Sequence, residues 1–76
     1  MKTYWRTRIR ATTYRGTQGF SVTAWEVTET GTRVGSWPAR IFTTTQERAE
    51  RIRAAYRNDT LTSTERSAIV DAALMD

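Results

Sequence analysis

The chain has 76 residues, among them eleven arginines and one lysine, and it contains neither cysteine nor histidine. It can therefore form no disulfide, no cysteine or histidine zinc site and no Ser-His or Cys-His catalytic pair, which excludes most nucleophilic enzymes. We expect a single small domain, 1–76, with a core so thin that its stability is marginal or depends on a partner.

The net charge of +4 is distributed unevenly along the chain. Residues 1–57 carry eleven basic and four acidic side chains, a net charge of +7, whereas residues 58–76 carry one basic and four acidic side chains, a net charge of −3. A basic body of this kind is typical of proteins that bind polyanions. The alternative is that a GC-rich coding sequence has enriched arginine and threonine, and the fifteen threonines are consistent with that bias.

Hydropathy and the N-terminal sequence bear on location. No stretch approaches the roughly 20 apolar residues that a membrane-spanning helix needs. Residues 1–6 also lack the apolar segment of a signal peptide. We therefore expect a cytoplasmic protein without membrane contact.

The first predicted strand runs from Tyr4 to Tyr14, where the residues alternate with a period of two. Glycines within residues 15–19 predict a turn, and residues 20–28 are rich enough in β-branched and aromatic side chains to form a second strand. The apolar pattern of that second strand changes near Ala24, which indicates a bulge or two partly covered faces.

A second turn at residues 29–32 precedes a third strand, residues 33–42. Pro38 has no amide hydrogen for a strand ladder, so this part of the strand must lie at an edge or a break. The three strands with short connections predict an antiparallel meander over residues 4–42.

Two helices are predicted after the strands. Thr44 and Glu47 have the spacing of a capping box, which predicts a helix over 44–57 with an apolar side that packs across the sheet. Thr62 and Glu65 repeat this spacing and predict a second helix over 62–75. The second helix is apolar nearly all round, which favours a lid on the core and leaves a homodimer through this helix as the alternative.

The predicted fold class is therefore α+β: a three-stranded antiparallel β-meander with one face covered by a helix, plus a short C-terminal helix, in the order β-β-β-α-α.

Three arginines alternate along one face of the first strand. Arg6, Arg8 and Arg10 are two residues apart, so their side chains project on one side at intervals of about 6.6 Å, close to the spacing of successive phosphates. If the other side of the strand faces the helix, these arginines form a basic ridge on the uncovered face of the sheet. The alternative is an ordinary solvated face in which Glu26 and Glu29 neutralise the arginines across strands.

Further residues of the meander complete the candidate binding surface. Aromatic rings beside guanidinium groups can stack on bases or brace the arginines. The candidates beyond the three arginines are Tyr4, Tyr14, Arg15, Trp25, Arg33 and Arg40. For Trp25 and Trp37 we favour core packing over a role at an interface, because a small core needs large side chains.

Catalytic and cofactor sites are not indicated. Glu47 and Glu50 share a helix face but lie among arginines and at a capping position. Residues 16–19 lack the Lys-Ser/Thr of a phosphate-binding loop. We expect no enzymatic activity, no metal and no cofactor.

Several short stretches resemble the three-stranded-sheet-plus-helix DNA-binding modules of the AP2 type, which include the arm-binding domains of phage and transposon integrases. The similar residues are Tyr14-Arg15-Gly16 in the first strand and turn, Trp25 in the second strand, and Phe42-Thr43-Thr44 followed by Glu47 and Ala49 at the passage to the helix. The resemblance covers residues 4–57; Pro38 in the third strand and the second capped helix depart from it. Members of this family lay the sheet in the major groove, so the resemblance implies contacts from Arg6, Arg8, Arg10, Arg15 and Trp25.

Two functions from different classes follow from the sequence. The first is a non-enzymatic nucleic-acid-binding module whose Arg-rich sheet face contacts the phosphate backbone. The second is a small phage or mobile-element protein that binds and inhibits a host protein or nucleoprotein complex, as anti-CRISPR proteins do. A homodimeric accessory subunit is a third possibility.

Overall fold

The computed structural model describes residues 2–75, and of Ser36 only the backbone. Its elements are β1 (Thr3–Tyr14), β2 (Thr17–Thr28), β3 (Arg33–Thr43), α1 (Gln46–Arg57) and α2 (Ser63–Met75). The strands form one antiparallel sheet in the order β1-β2-β3, with β2 in the centre. This confirms the predicted α+β class and the order β-β-β-α-α.

The pairing of β1 with β2 is regular over the full length of both strands, with Ile9 opposite Val22 and Tyr14 opposite Thr17. Because neighbouring residues of a strand point to opposite sides, the sheet has two distinct faces. One face, with Ile9 and Val22, is covered by α1. We call the other the open face. Its residues are Tyr4, Arg6, Arg8, Arg10, Thr12 and Tyr14 of β1, Thr17, Gly19, Ser21, Thr23, Trp25 and Val27 of β2, and Arg33, Arg40 and Phe42 of β3.

The β1–β2 hairpin turns on only two residues, Arg15 and Gly16, both with positive φ (50° and 79°). Positive φ at both central residues is the geometry of a type I′ turn, whose twist matches that of the strands. The turn is therefore shorter than predicted, and the second glycine of the segment, Gly19, belongs to β2. A Cβ on Gly19 would lie 2.6 Å from Cζ of Phe42, so the close approach of this ring requires glycine.

The third strand pairs with β2 in two stretches separated by a break. Val34 is opposite Glu26 and Ala39 is opposite Ala24, so residues 35–38 all stand opposite Trp25. We call residues 35–38 the β3 bulge. Its geometry follows from a glycine at positive φ (Gly35, 83°) and from Pro38, which cannot donate to the ladder. The predicted edge position of Pro38 is confirmed. The pairing is irregular next to Ala24, but the extra residues belong to β3, so the predicted bulge in β2 is wrong; Trp25 and Val27 instead face away from α1 and are partly or fully covered, as the alternative of two covered faces predicts.

The core lies between the α1-covered face and the two helices. Its buried residues are Val22 of the sheet, Ala49, Ile52 and Ala55 of α1, and Val70 and Ala73 of α2. Among residues 2–75, Ile52 and Val22 are the large side chains that are completely buried, so the core is as thin as the composition predicts.

The start of α1 differs from the prediction. Thr45, and not Thr44, is the N-cap: the Arg48 backbone N–H donates to Thr45 Oγ1 at 3.2 Å. The hydroxyl of Thr44 instead accepts from the Arg48 guanidinium at 3.3 Å. The predicted pair of Thr44 with Glu47 is therefore wrong by one residue in a run of three threonines, each of which can cap.

The capping box of α2 is confirmed. The Glu65 N–H donates to Thr62 Oγ1 at 3.1 Å, and the Thr62 N–H donates to Glu65 Oε1 at 2.9 Å. Hydrogen bonding to the Glu65 carboxylate, first by the Thr62 backbone N–H and then by the Thr62 side chain, holds the pKa of Glu65 below its usual value.

The second helix packs mainly on α1 and only partly acts as a lid. Val70 and Ala73 are buried against α1, whereas Ile69, Leu74 and Met75 are exposed. A homodimer through these exposed side chains stays a prediction. Neither helix in residues 2–75 is long and apolar enough to cross a membrane.

A cluster of Trp5, Tyr56 and Arg66 ties α2 to the sheet. The rings of Trp5 and Tyr56 meet edge to face at 4.9 Å, and the Arg66 guanidinium lies 5.2 Å and 5.5 Å from their centroids. Burial raises the pKa of Tyr56, and the positive charge of Arg66 partly opposes this rise. Cation–π contacts thus fix the first turn of α2 against β1 and α1.

Candidate functional site

Five arginines project from the open face in two rows. Arg6, Arg8 and Arg10 form one row on β1, and Arg33 and Arg40 form the other on β3. Arg8 and Arg40 are both opposite Thr23, so the two rows face one another across the central strand. The alternation of β1 predicted the first row; the second follows from the β2–β3 register.

The central strand carries small side chains between the two rows. Ser21 and Thr23 of β2 occupy the open face there, and Gly19 lies beneath the Phe42 ring. Edge strands of a three-stranded sheet are about 10 Å apart. The result is a groove of about 880 Å³ along β2, which we call the β2 groove. It is lined by Arg8, Arg10, Thr12, Thr13, Tyr14, Ser21, Thr23, Trp25, Arg33, Pro38, Arg40 and Phe42.

Aromatic rings stand toward both ends of the β2 groove. The rings of Tyr14 and Phe42 meet at 5.3 Å near Gly19. Trp25, six residues further along β2, is half-buried, and the Arg33 guanidinium lies 5.5 Å from the centre of its ring. Aromatic surface thus lies within reach of a ligand that is held by the arginines.

The open face carries no acidic side chain to neutralise its arginines. Glu26 is opposite Trp5 on the α1-covered face, where its carboxylate accepts from Thr3 Oγ1 at 2.9 Å. Glu29 lies in the β2–β3 loop. The alternative of pairing with these two glutamates is therefore wrong, because neither shares the face.

Within residues 2–75, none of the five arginines forms a salt bridge. Lys2 differs from them, because its Nζ lies 3.9 Å from a carboxylate oxygen of Asp59. The positive charge of the open face is therefore concentrated on guanidinium groups that have no acidic partner in the described part of the chain.

Two of the three tryptophans, Trp25 and Trp37, lie outside the core. Trp37 is 91% exposed in the β3 bulge, and Trp25 lies on the open face. The preference for core packing is wrong for both, because Trp25 has the parity of the arginines and Trp37 belongs to a segment that leaves the sheet. Trp5 is the tryptophan that packs under the helices.

The remaining predicted residues lie around the β2 groove. Arg6 is opposite Trp25, just outside the lining, and Tyr4 is further along β1 with Lys2 over its ring at 5.3 Å. Arg15 is at the tip of the hairpin, 5.4 Å from the ring of Tyr14. Of the nine candidates, six line the groove. They are Arg8, Arg10, Tyr14, Trp25, Arg33 and Arg40.

Sequence reasoning missed Phe42 and the small residues of the groove floor. Ser21 and Thr23 share the parity of Trp25, so this signal existed once the face of Trp25 was known. From the sequence, Phe42 is expected only at the passage from the third strand to the helix.

No metal site is found among the described residues. Within residues 2–75, no group of three acidic side chains could hold a metal ion. The arrangement of the open face is suited to binding: guanidinium groups donate paired hydrogen bonds to oxyanions, and aromatic rings accept flat partners. A scan against protein-family models finds no match for this chain, and comparisons with curated proteins and with solved structures find none either.

Proposed function

We propose that this chain is a non-enzymatic nucleic-acid-binding module that holds the phosphate backbone with the arginines of its open face. The observation that carries the proposal is the pair of arginine rows across the β2 groove, five guanidinium groups without an acidic neighbour on the same face.

The chemistry of arginine supports a phosphate ligand. Guanidinium groups bind phosphate through two parallel hydrogen bonds and remain charged at every physiological pH. Residues two apart on one strand repeat at about 6.6 Å, close to the phosphate spacing of a nucleic-acid strand. A polyanion can therefore contact successive arginines of one row.

The resemblance to AP2-type modules supports the same surface. Those modules contact DNA through their sheet, and the similar residues here include Tyr14 and Trp25, which line the β2 groove. The resemblance and the charge pattern thus implicate one face of the molecule.

The salt dependence of binding tests this proposal. Each neutralised phosphate lowers the slope of log K against log salt by about 0.7 to 0.9, so five contacts predict a slope of about −3.5 to −4.5. Fluorescence anisotropy with labelled single-stranded and duplex DNA over a range of salt concentrations measures this slope. Replacing Arg6, Arg8 and Arg10 together by alanine should make the slope shallower by about 2.1 to 2.7. Affinity that does not depend on salt, or a slope that is unchanged in the triple variant, would contradict the proposal.

A second candidate function, an antagonist of a host protein complex, is favoured by one specific observation. The Trp37 ring is 91% exposed on a bulge of an edge strand, and tryptophan is enriched at the centres of protein interfaces. In that case Trp37→Ala should abolish capture of the partner. If the chain binds nucleic acid through the β2 groove, whose lining does not include Trp37, the same variant should bind nucleic acid within twofold of the wild type.

A further inference from the structure

We propose that the β2 groove takes a single strand of nucleic acid, about three nucleotides long within the groove, whose bases stack on the aromatic rings toward its two ends. This inference rests on the proposed function and narrows its ligand from nucleic acid in general to unpaired strands.

The depth profile of the open face favours a single strand. A sheet that enters the major groove of a duplex must reach the base edges with side chains of its central part. Here the central strand carries the short side chains of Ser21 and Thr23 between rows of long arginines. The centre is therefore recessed: one unpaired strand can reach its floor, whereas a duplex would meet only the arginines of the two rows.

The width of the groove agrees with this ligand. The edge strands that carry the two rows are about 10 Å apart. One extended strand fits along this channel and meets guanidinium groups from both sides, such as Arg8 and Arg40 on either side of Thr23.

The aromatic residues require bases that are free to stack. Bases within a duplex are stacked on one another, whereas bases of a single strand present their faces to aromatic rings and to guanidinium planes. Tyr14 is 52% exposed beside Phe42, and Trp25 with Arg33 over its ring lines the same groove. These groups give flat surfaces toward both ends of the groove.

The length of the groove sets the size of the site. Along β1 the lining runs from Arg8 to Tyr14, and six steps at about 3.3 Å span about 20 Å. At the arginine repeat of about 6.6 Å this distance corresponds to about three nucleotides. The floor offers only the hydroxyls of Ser21 and Thr23 for hydrogen bonds to bases, so we expect weak preference among base sequences.

Anisotropy titrations at one low salt concentration test the inference. The probes are a labelled mixed-sequence 12-nucleotide single strand, the blunt duplex of the same sequence, and an acidic peptide of matched charge. The single strand should bind at least tenfold more tightly than the duplex and the peptide. Single-strand binding equal to or weaker than duplex binding would overturn the inference and leave the proposed function standing. Absence of binding to either nucleic acid would overturn both, and tighter binding of the peptide would favour an acidic protein partner instead.

Substitutions of Tyr14, at one end of the β2 groove, test specifically whether bases stack on its ring. Tyr14→Ala should weaken single-strand binding at least fivefold, because a stacking surface is lost, and should change duplex binding less than twofold. Tyr14→Phe retains the ring and should bind within twofold of the wild type, and Trp37→Ala is the matched control outside the groove.

Circular dichroism verifies that each variant is folded. If Tyr14→Ala is unfolded, the wild-type ratio of single-strand to duplex affinity alone decides. Equal losses for both nucleic acids in a folded Tyr14→Ala protein would overturn the stacking role.

Discussion

At the scale of single residues, Gly19 controls the shape of the β2 groove. The Phe42 ring lies where a side chain of residue 19 would project, and the carbonyl oxygen of Thr43 would be closer still. Gly19→Ala therefore must displace either the ring or the β3 backbone, and we expect it to lower the free energy of unfolding by about 1 to 3 kcal/mol. Urea denaturation measures the change.

The matched control for this substitution is Ser21→Ala, at the next position along the same face of β2. It removes a hydroxyl without adding volume, and its effect should stay within about 0.5 kcal/mol. A Gly19→Ala protein as stable as the control would show that the ring does not pack closely over this glycine.

The arginines of β1 and Trp37 show what the sequence can and cannot predict about single residues. The alternation of β1 correctly predicts which arginines share a face, because period two is a property of every strand. It gives no information on Trp37, whose exposure depends on four residues of β3 bulging opposite one residue of β2. Pro38 indicates a break, but its extent depends on Gly35 adopting positive φ.

At the scale of elements, the N-terminus of α2 depends on its capping box. Thr62→Ala removes the hydroxyl that accepts from the Glu65 N–H, and a lost N-cap costs about 1 kcal/mol. For a domain of this size we expect the melting temperature to fall by about 4 to 8 °C. Thermal denaturation followed by circular dichroism measures it, and Ser63→Ala, one residue inside the helix, is the control. Equal melting temperatures for Thr62→Ala and the wild type would contradict the capping role.

The same capping box predicts a dependence on pH. The folded-state pKa of Glu65 is lowered by hydrogen bonds from Thr62, so the carboxylate stabilises α2 above its unfolded pKa. This contribution is lost as the pH falls through the folded pKa. An NMR titration should find the Glu65 pKa below its usual value, and Glu65→Gln should remove this part of the acid dependence of stability. A Glu65 carboxyl that titrates at or above its usual pKa would contradict the assignment.

The two helix starts show when a cap can be predicted. Thr62 is followed at the correct distance by Glu65 and precedes a serine, so the interpretation is confirmed. Before α1, three consecutive threonines offer three possible caps, and the selection of Thr45 depends on how β3 ends. Thr43 is buried and donates its hydroxyl to the Thr45 carbonyl at 2.9 Å, a contact that the sequence does not reveal.

At the scale of the whole molecule, the described acidic side chains lie outside the open face, whereas arginines lie both on that face and on the helices. The open face carries arginines and no acidic residue, whereas the helices lie against the opposite face and the negative C-terminal segment packs on α1. The sequence shows a basic body and an acidic C-terminal segment, which indicates only that the two signs of charge are concentrated in different parts of the chain. The β2 groove could not be predicted, because its floor depends on the face that β2 turns toward solvent.

The most direct test of the account compares two pairs of arginines with equal charge. Arg8 and Arg40 flank the β2 groove, and Arg51 and Arg57 are exposed on α1, behind the sheet. We expect Arg8→Ala with Arg40→Ala to weaken binding of a 12-nucleotide single strand at least tenfold at low salt. Arg51→Ala with Arg57→Ala should weaken it less than threefold, because a strand bound at the open face feels these two side chains only through long-range attraction. Equal losses in the two double variants, measured by anisotropy on folded proteins, would contradict the assignment of binding to the open face.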